Sequence, residues 1–313
     1  MQIATSQRTV ELHKNVFLSR SGVALKWPLR LLAGSVWPNH PTGHFYRYAM
    51  AKRLLSKTVS LDDKRTYSFV HNHWSRGYHH WIVESLVRLL QLHDEASRPL
   101  TILVPEDYPG FAHQCLEMLR GRHEIAFIPA NSNAKIPKAL VVPNPAYKIF
   151  DPQTMESLRN WVWNSSQLDR FNVVPHRRVY ISRQFAQMRR VENEREVQGF
   201  MRDEGFEIVH TENLSFDDQV RMFFETKALV GIHGAGLTNL LFMHPGTSVL
   251  EFRRSPIEGK TTWNQCFQSL ALAAGVRHSL LDCDAGSNDA KCLGRANLHV
   301  NLKRLSNSLT QLG

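Results

Sequence analysis

A glycine-containing segment stands where a predicted strand gives way to a predicted helix. The strand covers residues 228–232, and His233-Gly234-Ala235-Gly236-Leu237-Thr238-Asn239 follows it directly. Small residues let a ligand approach the backbone closely, and the free amides and dipole at the start of a helix favour an anion. Thr238 and Asn239 add side-chain donors. This chemistry favours a phosphate or diphosphate, although the spacing matches neither the P-loop nor the full dinucleotide motif, and a purely structural turn stays open.

Polar residues also follow the predicted strand at 178–182. Ser182 and Arg183 stand at its carboxyl end, and Arg189, Arg190 and Asn193 come just before or within the next helix. A guanidinium at such an edge can bind a phosphate through two parallel hydrogen bonds. The alternative is a solvated helix start with scattered charge.

Glu251 ends the predicted strand at 248–252, after the glycine-containing segment. An acidic side chain at the carboxyl edge of a parallel sheet can accept hydrogen bonds from ribose hydroxyls. Glu251 could as easily pair with Arg253 or Arg254, and the sequence leaves both possibilities open.

A third cluster runs from His71 to Trp81, from a predicted strand end into a helix, and is rich in histidine and aromatic residues. His80, Glu84 and Arg88 repeat every four residues and therefore share one helical face. A carboxylate beside an imidazole raises its basicity and fixes its tautomer, so Glu84 or His80 could act as a general base. A zinc site is disfavoured, because no carboxylate or cysteine lies at a usual ligand spacing from the histidine pairs. A polar helix face over an aromatic core is the remaining alternative.

Strands alternate with helices in both halves of the chain, which predicts parallel sheets with right-handed crossovers. Residues 15–27 are typical of a β-hairpin with a glycine-containing turn. Prolines at 143, 145, 152 and 175 indicate a boundary between residues 145 and 175. We therefore expect one α/β domain over 1–165, a second over 166–300, and a closing helix over 301–313 that packs back on the first domain.

Composition excludes several classes of protein. The chain has 313 residues, 42% of them hydrophobic and 21% charged, which is ordinary for a globular protein. It has no apolar run near the ~18 residues of a membrane helix and no signal-peptide pattern at its start, so a soluble, intracellular protein is expected. Four scattered cysteines argue against a disulfide scaffold.

The net charge of +10 favours anionic partners, but nucleic acid is disfavoured, because the chain has no basic tail and no zinc-finger spacing. Simple solubility or loose attraction to a membrane surface stays open.

Taken together, these motifs resemble glycosyltransferase family 61. The resemblance covers about residues 66–252 and is carried by the runs 78–84, 179–183, 189–194, 205–209, 214–220 and 233–239, with Glu251. It implies an α/β protein of the GT-B type, in which two Rossmann-like domains face a central cleft. The domain over 1–165 would then be the acceptor side, and the domain over 166–300 would bind the nucleotide-sugar. It also implies an inverting glycosyltransferase that uses a nucleotide-sugar and needs neither a metal nor another cofactor. Position 84 departs from the commonest pattern, because glutamate stands where aspartate is often found.

The resemblance distributes roles over the motifs. Catalysis would fall to Glu84, His80 and His79, and the acceptor side to His73, Trp74 and Tyr78. The donor diphosphate would be held by Ser182, Arg183, Arg189, Asn193, His233, Gly234, Ala235, Gly236, Leu237, Thr238, Asn239 and Glu251. The expected partners are a nucleotide-sugar and a glycan or lipid-linked acceptor, in the cytoplasm or at the inner face of its membrane, in surface polysaccharide or capsule synthesis.

Two other functions stay open at this point. The first is a non-catalytic protein of the same fold that binds nucleotide-sugars or glycans; the joint presence of His80, Glu84 and the glycine-containing loop argues against it. The second is a basic nucleic-acid binder, whose affinity would fall steeply with salt.

Overall fold

A computed structural model describes residues 10–26, 29–255, 264–286, 297–310 and 312. The chain divides into two compact units, Met1–Lys148 and Ile149–Gly313. We call them the first unit and the second unit. Both combine helices with a β-sheet, which confirms the prediction of an α/β protein. The GT-B arrangement stays a prediction.

The first unit is built on one mixed sheet. Its strands, as described, run in the order β3-β2-β1-β8-β5-β6-β7, with β4 beside β8. Their bounds are β1 Glu11–Leu18, β2 Ala24–Lys26, β3 Arg30–Leu31, β4 Thr58–Ser60, β5 Tyr67–Phe69, β6 Thr101–Pro105, β7 Glu124–Ile128 and β8 Asn133–Val141. Strands β5, β6 and β7 are parallel as predicted. The predicted hairpin is β1 with β2, and β1 also pairs antiparallel with β8, so this sheet is not parallel throughout.

The helices of the first unit pack around this sheet. They are α1 Gly43–Leu55, α2 Tyr78–His80, a π-helical turn Trp81–Ser85 that continues into α3 Leu86–Glu95, and α4 Gly110–Leu119, with a 3-10 turn at Ala33–Ser35. The predicted helices after Gly77 and near 111–120 are confirmed. Helix α1 had no readable signal, because it buries only Phe45 and Ala49. Over the described residues, no helix is long and apolar enough to cross a bilayer.

The second unit is built on a sheet that is parallel except at one edge. Its described strands follow the order β10-β9-β11-β12-β13-β14, and the last pairing is antiparallel. Their bounds are β9 Arg177–Ile181, β10 Glu207–Val209, β11 Thr226–Ile232, β12 Ser248–Arg254, β13 Arg277–Ala285 and β14 Leu298–His299. Because the chain leaves β9 toward one side for β10 and returns to the other side for β11, the strand order reverses between β9 and β11. Doubly wound sheets bind ligands at such a switch point.

Helices connect these strands. They are α5 Pro152–Ser165, α6 Glu194–Asp203, α7 Phe216–Phe224, α8 Cys266–Ala274 and α9 Leu302–Leu309, with 3-10 helices at Thr211–Asn213 and Ala235–Phe242. The predicted N-cap of α7 is confirmed, because Ser215 accepts a hydrogen bond from the backbone N–H of Asp218. The helix expected over 237–243 is a 3-10 helix that starts two residues earlier.

The division between the units differs from the expected one after residue 165. Helix α5 belongs to the second unit, because Arg159 donates to the carbonyl of Ala274 at 2.7 Å and the indole of Trp163 donates to that of Phe242 at 3.1 Å. The closing helix α9, expected against the first domain, instead buries Leu305 and Leu309 in the core of the second unit. These two leucines belong to the same buried cluster as Leu281 and Cys283 of strand β13.

Candidate active site

The switch point of the second sheet brings two arginines to the glycine-containing loop. Arg183 stands two residues after the end of β9, and a Cβ atom added to Gly234 would lie 2.9 Å from its Nη1. Nε of Arg183 donates to the carbonyl of Arg189 at 3.1 Å, and Nη1 of Arg189 donates to the carbonyl of His233 at 3.1 Å. The structure therefore joins the predicted residues Arg183, Arg189, His233 and Gly234.

These two guanidiniums lie in an unusual electrostatic environment. Burial lowers the pKa of both arginines, and for Arg183 the positive charge of Arg189 lowers it further. Nε of Arg189 is buried and has no hydrogen-bond partner within the described chain. Neither side chain forms an ion pair with a described carboxylate. The charge of Glu212 opposes these two effects on the pKa of Arg183 without forming an ion pair. Two neighbouring, partly buried cations that form no ion pair with a described carboxylate favour the binding of an anion.

Glu251 does not lie where a ribose could reach it. Its side chain is completely buried, and both oxygens accept hydrogen bonds: Oε1 from Arg253 at 2.9 Å and from Nδ1 of His233, Oε2 from His278 at 2.8 Å. Burial raises its pKa, but the hydrogen bonds from His233, His278 and Arg253 outweigh this and bring the pKa to about 2. Of the two possibilities in the sequence, pairing with Arg253 is the observed one. Because an ionised carboxylate can only accept, Nδ1 of His233 is the donor in this pair, and Nε2 is the ring nitrogen that Glu251 leaves unoccupied.

Several other predicted donor-side residues are hydrogen-bonded or buried within the second unit. Ser182 donates to Glu194, and Asn193 holds the backbone of Val300 through two hydrogen bonds, of 2.9 and 3.0 Å. Leu237, Thr238 and Asn239 are buried. Ala235 and Gly236 are partly exposed, so they stay with the arginines and His233 as residues that a ligand could contact.

In the first unit, the predicted helical face carries a hydrogen-bonded pair. Nδ1 of His80 lies 2.7 Å from Oε1 of Glu84. Oε2 of Glu84 accepts from the indole N–H of Trp37 at 3.0 Å and from the amide of Asn72. The Glu84 side chain is 5% exposed and that of His80 is 21% exposed. Solvent therefore reaches the imidazole of His80 more readily than the carboxylate of Glu84. Glu84 binds Nδ1 of that imidazole and not Nε2.

Glu84 lies within the π-helical turn Trp81–Ser85. Single π turns inside α-helices occur frequently at functional sites. One α-turn further on, Arg88 is fully buried and donates to the carbonyls of Val70 and Val142 at 2.9 Å, so it ties the helix to the ends of β5 and β8. Burial lowers the pKa of Arg88 to about 9, against the opposing effect of the Glu84 charge. Arg88 thus fixes the helix that carries His80 and Glu84 against the sheet.

Aromatic rings surround the imidazole of His80. Trp74 is 46% exposed, and its ring centroid lies 6.2 Å from that of Trp37, nearly parallel, and 6.2 Å from that of His80. Tyr147 stacks on Trp37 at 4.3 Å. Asn72 accepts from the backbone N–H of Trp74 at 2.9 Å, so one amide side chain positions both the carboxylate and the exposed indole.

The remaining predicted residues of the first unit lie around this group. The His79 ring is 5.4 Å from that of His80. His73 packs edge-on against Tyr48 and Trp74, and burial, together with His44, lowers its pKa. The Tyr78 ring contacts that of Phe111 at 5.3 Å, on helix α4.

Sequence reasoning missed several members of both groups. Asn72 lay inside the histidine-rich run without being selected, and Trp37, Tyr147 and His278 come from distant segments that carry no local signal. Throughout the described ranges, no three histidine, cysteine or acidic side chains are grouped so that they could hold a metal ion.

Comparison with known proteins identifies the family. The family model described as Glycosyltransferase 61 matches residues 78–250, more than half of the chain, which include the His80–Glu84 pair, Arg183 and the loop at 233–239. A search among curated proteins found no match. The family match supports a transferase with sugar donor and acceptor substrates. The chain, with its paired arginines at the switch point and its His80–Glu84 pair, belongs to glycosyltransferase family 61.

Proposed function

We propose that this protein is an inverting, metal-independent glycosyltransferase. It would move a sugar from a nucleotide-sugar to a hydroxyl acceptor in the cytoplasmic synthesis of a surface polysaccharide or glycan. The observation that carries the proposal is the pair of partly buried guanidiniums of Arg183 and Arg189 against the glycine-containing loop.

On the donor side, the proposed chemistry is stabilisation of a leaving group. As the bond from the sugar to the nucleoside diphosphate breaks, negative charge grows on the diphosphate. The guanidiniums of Arg183 and Arg189, with the backbone of Ala235 and Gly236, would stabilise that charge in a partly desolvated position, where electrostatic interactions are strong. These groups would do so without a metal ion. His233, held by Glu251, would offer Nε2 to a donor hydroxyl.

An exposed aromatic side chain lies on the same loop as the arginines. Phe185 is 66% exposed and its ring lies 4.8 Å from that of His210, which follows β10. Nucleobases stack on exposed aromatic rings whichever base is present, because every base has a flat π-face. We propose that Phe185 stacks on the base of the nucleotide-sugar.

On the acceptor side, we propose His80 as the base and Glu84 as its positioning residue. The proton of the acceptor hydroxyl would pass to Nε2 of His80 while the oxygen attacks the anomeric carbon of the donor. Glu84 would keep Nδ1 protonated and stabilise the imidazolium that forms. One direct displacement inverts the anomeric centre and needs no covalent intermediate. Direct proton transfer to Glu84 is disfavoured by its burial and by the hydrogen bonds to both of its oxygens.

The exposed indole of Trp74 suggests where an acceptor would rest. It lies beside His80 and is fixed through Asn72. Apolar faces of sugar rings pack on indoles, so a glycan or the sugar of a lipid-linked acceptor fits this position.

The test begins with thermal unfolding in a panel of nucleotide-sugars, because a ligand at 100 times its dissociation constant adds roughly 2.7 kcal/mol. Transfer with the stabilising donor is then followed by NMR, which reports the anomer formed. His80→Ala and Glu84→Gln should each lower the rate about 100- to 10,000-fold while donor binding persists. Glu95→Gln, an exposed glutamate at the end of the same helix, is the matched control. If the protein bound a donor but transferred its sugar to no acceptor, a non-catalytic binding protein would be favoured. If the product kept the anomeric configuration of the donor, the proposed single displacement would be overturned.

A further inference from the structure

Residues 12–61 of the first unit carry formal charge of a single sign. Residues 12–61 contain eight lysines and arginines and no aspartate or glutamate. The basic residues are Lys14, Arg20, Lys26, Arg30, Arg47, Lys52, Arg53 and Lys57. Residues 12–61 therefore contribute most of the net charge of +10.

Helix α1 ends in two exposed leucines within this stretch. Leu54 is 80% exposed and Leu55 is 81% exposed. They share the outward face with Arg47, seven and eight residues earlier, whereas Phe45 and Ala49 fill the buried face. Two adjacent apolar side chains thus project from the end of a basic helix.

Asn133 binds the backbone of three basic residues near the end of helix α1. Its amide donates to the carbonyl of Lys52 at 2.9 Å and its Oδ1 accepts from the backbone N–H of Arg20 at 3.2 Å. Its backbone N–H donates to the carbonyl of Lys57 at 2.8 Å. The fold therefore brings the backbone of Arg20 to the end of α1, where Lys52 and Lys57 stand by sequence, and the guanidinium of Arg20 donates to the side-chain oxygen of Asn131. The guanidinium of Arg53 lies 6.0 Å from the ring centroid of Phe17.

Structural reasons account for only part of this surface. Cations in the last turn of a helix stabilise its dipole, which explains Lys52 and Arg53. The dipole gives no reason for two exposed leucines beside them. Within the described chain, Arg20, Arg47, Lys52, Arg53 and Lys57 form no ion pair with a carboxylate. The charge on this surface is therefore available to an external anion.

We propose that the end of helix α1 docks on an anionic lipid bilayer. Leu54 and Leu55 would enter the boundary between headgroups and acyl chains, while Arg20, Arg47, Lys52, Arg53 and Lys57 face the lipid phosphates. Apolar side chains flanked by Lys and Arg bind membrane interfaces in this way, with a contribution from each charge and a dependence on salt. This surface does not depend on the proposed reaction.

Co-sedimentation with vesicles tests the proposal. The full chain is mixed with vesicles of phosphatidylcholine alone or with vesicles that also contain about 30% phosphatidylglycerol, which gives their surface a negative potential. Binding is expected to the anionic vesicles and to fall as salt rises. Leu54→Ser with Leu55→Ser should lower the partition coefficient about tenfold or more, and Lys52→Gln with Lys57→Gln about fivefold per charge. Phe171→Ser with Val174→Ser, which changes two exposed apolar residues of the second unit, is the matched control.

The outcomes separate the proposal from its rivals. Thermal unfolding of each variant shows that it is folded. Equal loss in the control pair, or full binding by the leucine variant, would mean adsorption through the overall charge and would overturn the proposal. Loss of a dimer on changing Leu54 and Leu55, without an effect on vesicles, would assign the surface to a second copy instead. Neither result bears on nucleotide-sugar binding, which is measured separately.

Discussion

A Cβ atom on Gly234 would lie 2.9 Å from Nη1 of Arg183, closer than carbon and nitrogen approach without displacement. The backbone of Gly234 is extended, with φ 178°, a conformation that any residue adopts. A side chain at this position is therefore opposed by the arginine and not by the backbone. The loop after β11 and the guanidinium after β9 are packed against each other at the switch point.

Gly234→Ala should weaken donor binding without unfolding the protein. The added methyl group would push the flexible end of Arg183 away from the loop, and a displaced bidentate donor costs charge-assisted hydrogen bonds of about 1.5–3 kcal/mol, or roughly tenfold to a hundredfold in affinity. Calorimetry with nucleoside diphosphates measures this. Gly199→Ala is the matched control, because a Cβ there meets nothing within 4 Å and lies in helix α6, where alanine stabilises by about 1 kcal/mol. If Gly234→Ala bound nucleoside diphosphates with unchanged affinity, Arg183 would not be a donor-binding residue.

Trp37→Phe should slow transfer while leaving donor binding intact. The substitution keeps an aromatic ring but removes the N–H that donates to Oε2 of Glu84 at 3.0 Å. Loss of one hydrogen bond to a buried carboxylate costs about 1–3 kcal/mol, so kcat should fall about tenfold to a hundredfold as the orientation of His80 relaxes. Steady-state kinetics separates kcat from the KM for the donor. A purely structural role would lower the melting temperature and leave kcat of the folded protein unchanged.

Much of the His80–Glu84 face could be predicted because its signal is local. Residues four apart on a helix meet wherever the helix packs, and the strand that precedes it fixes its direction. The residues that hold this pair, Trp37 and Asn72, could not be predicted in the same way, because they reach Glu84 only through tertiary packing. The parallel sheet of the second unit was likewise predictable from its alternating strands and helices.

The prediction for Glu251 was limited by a similar cause. The sequence correctly places Glu251 on the strand after the glycine-containing loop, but not at its end, because β12 runs from Ser248 to Arg254 and Glu251 lies at its middle. Whether its side chain faces a ligand or the protein also depends on His278, from β13, a strand that the sequence analysis does not predict. Helix α1 escaped prediction because its exposed side carries the leucines that a buried face would normally carry.

Phe185→Ala should lower affinity for nucleoside diphosphates but not for pyrophosphate. Stacking of one base on an aromatic ring contributes about 1–3 kcal/mol, so a loss of roughly fivefold or more is expected for the nucleotide. Pyrophosphate lacks the base and would bind only through Arg183, Arg189 and the loop. Titration calorimetry with both ligands gives the comparison, and Phe171→Ala, an exposed phenylalanine of the same unit, is the control. Equal losses for both ligands would mean that Phe185 shapes the arginine loop and does not contact the base.

Glu251→Gln should remove part of the acid sensitivity of the second unit. The pKa of Glu251 is about 2 in the folded protein, against an ordinary value of 4.5, because the hydrogen bonds from His233, His278 and Arg253 outweigh its burial. A depressed pKa contributes stability that is complete above pH 4.5 and is lost as pH falls from 4.5 toward 2. The contribution to the free energy of unfolding at neutral pH is about 3 kcal/mol. Urea unfolding at a series of pH values should show a lower stability of the variant at pH 7 and a shallower decline below pH 4.5, with Glu95→Gln matching the wild type. An unchanged slope between pH 4.5 and 2 would show that the carboxylate is not held ionised by its three partners.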